Sequence, residues 1–155
     1  MTTVLEEGDR APDFALPTED GGEAKLPDYA GETLVLYFYP KDDTSGCTKQ
    51  AVAFSERLDD FRAAGAKVLG VSKDTPAKHA KFRAKHELTV PLASDEDAQA
   101  LEAYGVWKEK SMYGKTYMGI ERSTFLIQDG KIVRAWRKVR VPGHVEEVLE
   151  AARAL

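Results

Sequence analysis

An α/β fold is predicted by three features of the 155-residue sequence. Residues 33–39 (TLVLYFY) and 67–72 (KVLGVS) are near-continuous apolar runs, the pattern of strands covered on both faces. Between them the period changes: Phe54, Leu58 and Phe61 fall at i, i+4 and i+7, one stripe of a helix. A strand, a helix and a second buried strand in that order predict a parallel pair.

The remaining elements follow along the chain. Residues 13–16 and 23–26 predict an N-terminal β-hairpin turned at Asp20-Gly21-Gly22, since glycine takes positive φ without steric cost. Pro40 ends the strand at 33–39 because it has no N–H for the ladder. The helix is predicted over 46–63, stopped by Gly65. After the strand at 67–72 comes a helix over 76–86, opened by proline in its first turn. A short strand at 90–93 and a helix at 96–104, capped by Ser94 or Asp95, lead to the final part of the chain. There, residues 123–128, the turn Asp129-Gly130 and residues 131–136 predict a hairpin, followed by a last helix over 144–154. Strand–helix–strand followed by hairpin–helix is the order of the thioredoxin fold, here with an N-terminal β-hairpin extension. No repeat, low-complexity tract or long linker interrupts residues 1–155, which read as one domain.

Composition narrows the function classes. With 43% hydrophobic and 31% charged residues the chain is of the soluble globular type. The 22 basic and 26 acidic residues give a net charge of −4, which argues against nucleic acid as a partner. No basic flank leads into an apolar stretch within residues 1–10. The longest apolar run, residues 34–39, is far short of the ~20 needed to cross a bilayer. The single cysteine allows no internal disulfide, so the reducing cytoplasm is the expected location.

The chemistry points to Pro40-Lys41-Asp42-Asp43-Thr44-Ser45-Gly46-Cys47, between a buried strand and a helix start. Ligand sites in parallel α/β sheets gather outside the carboxyl ends of strands. A thiol there, expected to be exposed at the mouth of a pocket, meets unpaired N–H groups and the positive end of the helix dipole, both of which favour thiolate over thiol. The alternative is a buried structural cysteine.

At this point the chain closely resembles the peroxiredoxins. FYPKDDTSGCT carries their P-x-x-x-T-x-x-C signature at Pro40, Thr44 and Cys47. APDFALP near the start, RSTFLI later and WRKVRVPGHVEEVL at the end narrow the resemblance to the bacterioferritin-comigratory, or Q-type, branch, over nearly the whole chain. The resemblance implies a thioredoxin-like peroxidase that reduces hydrogen peroxide and organic hydroperoxides without metal, flavin or haem. Cys47 would be the peroxidatic nucleophile, Thr44 its hydroxyl partner, Pro40 the shield against water and Arg122 the arginine beside the thiolate. Thr44, the Gly46–Cys47 backbone and Arg122 would bind the peroxide and stabilise the charge on its leaving oxygen. Ionisation alone cannot make a fast peroxidase, because a free thiol is already a few per cent thiolate near neutral pH.

Each partner also has a plainer role: Thr44 as a helix cap or turn hydroxyl, Pro40 as a strand terminator, Arg122 as a surface ion pair with Glu121 or another acid, and Trp107 and Trp136 as packing residues. Asp42 and Asp43 oppose thiolate formation. They are expected to point outward, offset by Lys41, Lys49 and Arg122. His79 and His86 are seven apart on one helix, about 10 Å along its axis, too far to share a metal. His144 reads as a neighbour of the last helix's cap, and Lys78, His79, Lys81, Arg83 and Lys85 as a solvated helix face.

Two departures from the branch stand out. Ser45 replaces the proline of T-P-G-C, and Val52 stands where many members carry a resolving cysteine. The implied cycle is therefore of the one-cysteine type, with a Cys47 sulfenic acid reduced by an external thiol such as thioredoxin, glutaredoxin or glutathione. A monomer is expected, with a weak homodimer as the alternative. The competing function is a non-enzymatic peroxide-sensing switch, and behind it a scaffold with an inert thiol.

Overall fold

A computed structural model describes residues 5–155. Of the acidic stretch at 1–10, residues 1–4 lie outside the described residues. The chain opens with the hairpin β1 (Ala15–Pro17) and β2 (Glu23–Lys25), whose loop contains Gly21 at φ 85°. A 3₁₀ turn (Leu26–Tyr29) leads into β3 (Thr33–Phe38), in which every residue is buried.

After β3 come α1 (Ser45–Glu56) and α2 (Leu58–Ala63), where one continuous helix was expected. The chain tightens at Arg57, whose N–H bonds to Phe54 O at 3.1 Å. Phe54 and Phe61 on either side of the break both reach full burial, with ring centroids 5.8 Å apart. The strand β4 (Ala66–Ser72) pairs parallel with β3, as expected. Helix α3 (Pro76–His86) begins with a cap from Thr75, which accepts from Lys78 N.

The next strand, β5 (Leu92–Ser94), starts later than expected because Pro91 cannot donate to the ladder. Helix α4 (Gln99–Ala103) is also shorter and has Ala98, not Ser94 or Asp95, at its N-cap, while Asp95 serves its first turn from outside. Its carboxylate accepts from Gln99 N at 3.1 Å and Leu101 N at 2.8 Å. A second hairpin, β6 (Trp107–Met112) and β7 (Lys115–Ile120), was not foreseen. Its two-residue turn places Tyr113 and Gly114 at φ 54° and 78°, the left-handed pair that tight hairpins require. The hairpin β8 (Ser123–Gln128) and β9 (Lys131–Trp136) and the helix α5 (His144–Arg153) complete the chain.

The main sheet has the order β5-β4-β3-β8-β9, with β3 at its centre, parallel to β4 and antiparallel to β8. Alternate β3 side chains serve two cores. Leu34, Leu36 and Phe38 pack with Phe14, Leu101 and Tyr104 on one face. Val35, Tyr37 and Tyr39 pack on the other with Phe54, Phe61, Val148 and Cys47. The cysteine is thus placed over the end of the central strand.

Candidate active site

Cys47 is the third residue of α1, after the N-cap Thr44. Among the described residues no protein acceptor meets the backbone N–H of Gly46 or Cys47, so the head of the helix keeps its first-turn donors. The Thr44 hydroxyl does not cap the helix; it donates to Lys41 O at 2.8 Å. Pro40 sits partly buried where the β3 ladder stops.

Arg122 lies on the turn between β7 and β8 and reaches the cysteine. Its Nη2 donates to Cys47 Sγ at 3.3 Å, and its Nη1 to Gln50 Oε1 at 2.6 Å. Its carbonyl accepts from Val139 N at 2.9 Å, so backbone and side chain are both held. The surface pairing with Glu121 is not formed. Gly46 makes the approach possible, because a Cβ there would lie 3.2 Å from Arg122 Nη2. Lys41 and Lys49 are exposed, and Arg122 is the cation in contact with the sulfur.

Three features differ from expectation. Cys47 is 2% exposed rather than open at a pocket mouth, because it shares the inward stripe of α1 with Gln50, Ala51 and Phe54. Gln50 was missed. A fully buried polar residue one turn after the cysteine on an otherwise apolar stripe is the signal that could have found it.

Asp42 points inward, not outward. Its carboxylate accepts from Tyr39 Oη at 2.5 Å and lies 2.6 Å from His79 Nδ1, while its N–H donates to Asp74 Oδ2 at 2.8 Å. Tyr39 and His79 take the place of water as partners of the carboxylate. His79 is accordingly fully buried, breaking the solvated face expected for α3. Asp43 does point outward, at φ 62°, and pairs with His86 Nε2 and Lys85 Nζ, each at 2.7 Å. Those contacts, His86 first, hold its carboxyl below the usual range.

Asp42, Asp74 and His79 bring three ligand atoms within 4.8 Å of one another. A tetrahedral metal about 2.0–2.1 Å from each ligand would hold neighbouring ligand atoms about 3.3 Å apart. The 2.6 Å contact between His79 Nδ1 and Asp42 Oδ2 has room for a proton only.

Two further groups flank the site. Tyr37 belongs to the same apolar cluster as Cys47 and stacks on Phe54 at 4.5 Å. Burial, then the charges of Cys47 and Asp42, push its phenol far above its usual range, so it stays protonated. His144 shares a 2.8 Å hydrogen bond with Thr124 Oγ1. Burial, then the Arg122 charge, lowers its pKa to about 4, leaving it neutral near pH 7. Trp136 meets His144 edge-on at 5.8 Å, and Trp107 lies under Lys73 Nζ.

Residues 7–136 match the AhpC/TSA family. Peroxiredoxin Bcp of Bacillus subtilis is 47% identical over 151 residues, covering 97% of this chain and 96% of the relative. Peroxiredoxin Bcp of Escherichia coli is 46% identical over 146 residues, 94% of each chain. Among solved structures, peroxiredoxin Q of Xylella fastidiosa superposes with TM-score 0.92 at 44% identity over 98% of both chains. The bacterioferritin comigratory protein of Xanthomonas campestris, described for its alkyl peroxide reduction activity, gives 0.89 at 47% identity over 97% of both. An arginine held on a single cysteine at a helix head, in a chain this similar throughout, has one reading: it belongs to the AhpC/TSA family, in the bacterioferritin-comigratory or Q-type branch of the peroxiredoxins, and lacks a resolving cysteine.

Proposed function

We propose that this chain is a thiol-dependent peroxidase acting on hydrogen peroxide and organic hydroperoxides through a one-cysteine cycle. The observation that carries the reading is the 3.3 Å contact of Arg122 Nη2 with Cys47 Sγ at a helix head whose N–H groups are unpaired. The guanidinium sits against the sulfur and beside the place a peroxide must take to be attacked, where it can meet charge on the departing oxygen.

The sulfur lone pair attacks the terminal oxygen of ROOH, the S–O bond forms and the O–O bond breaks. Sulfur is oxidised by two electrons to sulfenic acid, and the leaving RO⁻ takes a proton to become ROH. The attacked oxygen keeps its own hydrogen. Arg122 and the Gly46 and Cys47 N–H groups stabilise the charge on the departing oxygen. Thr44, with its hydrogen committed to Lys41 O, offers Oγ1 as acceptor for the peroxide O–H. Pro40 limits water at the strand end. Two external thiols then reduce the sulfenic acid, giving one disulfide and one water and restoring Cys47. Thioredoxin, glutaredoxin with glutathione, or glutathione alone supplies those electrons. The family likeness leans toward a monomer, and the single cysteine supports work in a reducing compartment such as the cytoplasm.

Peroxide consumption with thioredoxin, glutaredoxin–glutathione and dithiothreitol, run side by side with Cys47→Ser, tests the reading. Many turnovers per thiol are expected with at least one donor, and none above background for Cys47→Ser. An active Cys47→Ser enzyme, or consumption that stops at one peroxide per thiol, would overturn it.

A further inference from the structure

The loop from Tyr39 to Thr44 carries the chain from the central strand to the helix that bears Cys47, and Asp42 is its buried fastening. Tyr39 Oη donates to Asp42 Oδ1, and Asp42 N donates to Asp74 Oδ2, which is itself held by Ser72 Oγ at 2.7 Å. The remaining partner is His79 of α3. Its Nε2 lies 3.0 Å from the Ala93 carbonyl, which can only accept, and its Nδ1 shares one proton with Asp42 Oδ2 across 2.6 Å. The chain of contacts then runs outward to the site. Lys41 O accepts the Thr44 hydroxyl, Thr44 O accepts Thr48 N at 2.8 Å, and Cys47 lies within that first turn. The loop's other tie, Asp43 to Lys85 and His86, is solvent-exposed and weak.

We propose that His79 is a positioning residue for the Cys47–Arg122 pair, acting through its hydrogen bond to Asp42; this rests on the peroxidase reading. His79 touches neither sulfur nor substrate. It fixes the carboxylate that fixes the loop. Without the Nδ1 hydrogen bond, Asp42 has somewhere to go: a cavity of about 260 Å³, lined by Lys41, Asp42, Asp74, Lys78 and Lys85 among others, opens beside it. A carboxylate turned toward those lysines draws Lys41 and Thr44 with it, and the start of α1 shifts relative to Arg122, whose backbone is held apart from that helix by Val139 N.

The test uses the two amides that each keep half of the imidazole's hydrogen bonding. In His79→Asn the amide N–H stands near the Nδ1 position and still donates to Asp42. In His79→Gln it stands near Nε2, keeps the Ala93 bond and leaves Asp42 Oδ2 without its partner, with only Tyr39 still on Oδ1. Two rates are measured on the full chain: oxidation of Cys47 by hydrogen peroxide, which needs the assembled site, and alkylation by iodoacetamide, which needs only a reachable thiolate. His79→Gln is expected to slow the peroxide reaction about a hundredfold, the scale of a misplacement of roughly 1 Å, with alkylation changed less than about threefold. His79→Asn is expected to recover to within about tenfold of the unaltered chain, because it restores the one bond that matters. Asp42→Asn gives a second route if His79→Gln does not fold. Its amide offers one acceptor to two donors, and the same split between the two reagents is expected.

A Gln variant as fast as the unaltered chain, an Asn variant as slow as Gln, or alkylation falling in step with peroxide oxidation would overturn the proposal. An unaltered chain no faster with peroxide than free cysteine would bring down the peroxidase reading and this inference with it. A fast unaltered chain with an equally fast Gln variant brings down the inference alone.

Discussion

Replacing Gly46 with alanine separates what the fold wants at this position from what the site wants. Gly46 is the second residue of α1 and has no positive φ, so its backbone suits any residue. Alanine in a helix is favoured over glycine by roughly 0.5–1 kcal/mol, and the gain at this early position is about 0.5 kcal/mol. The new methyl, however, falls 3.2 Å from Arg122 Nη2 and 3.9 Å from Val141 Cγ2. Ordinary contact needs about 3.5 Å, so the guanidinium must retreat by about 0.3 Å. It cannot do so freely, since Nη1 is tied to Gln50 at 2.6 Å. If a misplacement of 1 Å costs about a hundredfold, 0.3 Å costs about fourfold. Gly46→Ala is therefore expected to be slightly more resistant to urea and about fourfold slower in stopped-flow peroxide oxidation. A variant that is more stable and equally fast would refute the claim that the guanidinium position limits the reaction.

Two further outcomes follow from the packing and the ionisation around the site. A Cβ at Gly70 would lie 2.6 Å from Tyr37 Cζ, so Gly70→Ala is expected to lose about 1–3 kcal/mol in urea denaturation; an unchanged midpoint would show that the ring has slack. His144 has its folded pKa lowered from 6.5 to about 4. The unfolded chain therefore takes up this proton first as pH falls. The stability is full above 6.5, drains away between 6.5 and about 4 and is level below, a loss of about 3 kcal/mol for this one group. His144→Gln, which keeps a polar partner for Thr124, should show a shallower fall over that window, so that the two stability curves converge toward pH 4. A constant offset between them at every pH would contradict the assignment.

How much of this was legible depended on whether a residue's environment is local. The strands β3 and β4 were readable because both faces are buried at every position but Lys67, so nearly all of their residues are apolar or small. The β6–β7 hairpin was missed for the opposite reason. Its residues are mostly exposed, so no alternation marks them, and Tyr113-Gly114 was the only turn signal. The break at Arg57 was invisible because the apolar period continues through it, and the bend follows from fitting two phenylalanines under one sheet.

In the site, the cysteine and the arginine were recognisable from ordered motifs. Gln50 and Asp42 were not. The partner of Asp42 is 37 residues away, and counting charges near Cys47 along the chain placed that carboxylate in water when its destination was a buried histidine. Chain neighbourhood predicted the field at the sulfur poorly; the loop's fastening decided it.

The depth of Cys47 sorts its visitors by bulk. Hydrogen peroxide has two heavy atoms and needs only a crevice, whereas a thiol borne on another protein must bring its sulfur in line with the S–O bond of a residue that is 2% exposed. Regeneration by a protein donor is therefore expected to need the first turn of the helix to open, while a second oxidant molecule needs no such opening. With no cysteine of its own to intercept the oxidised sulfur, the chain is expected to be driven on to the irreversible sulfinic acid when oxidant is abundant and the donor large, and to be spared when the donor is small.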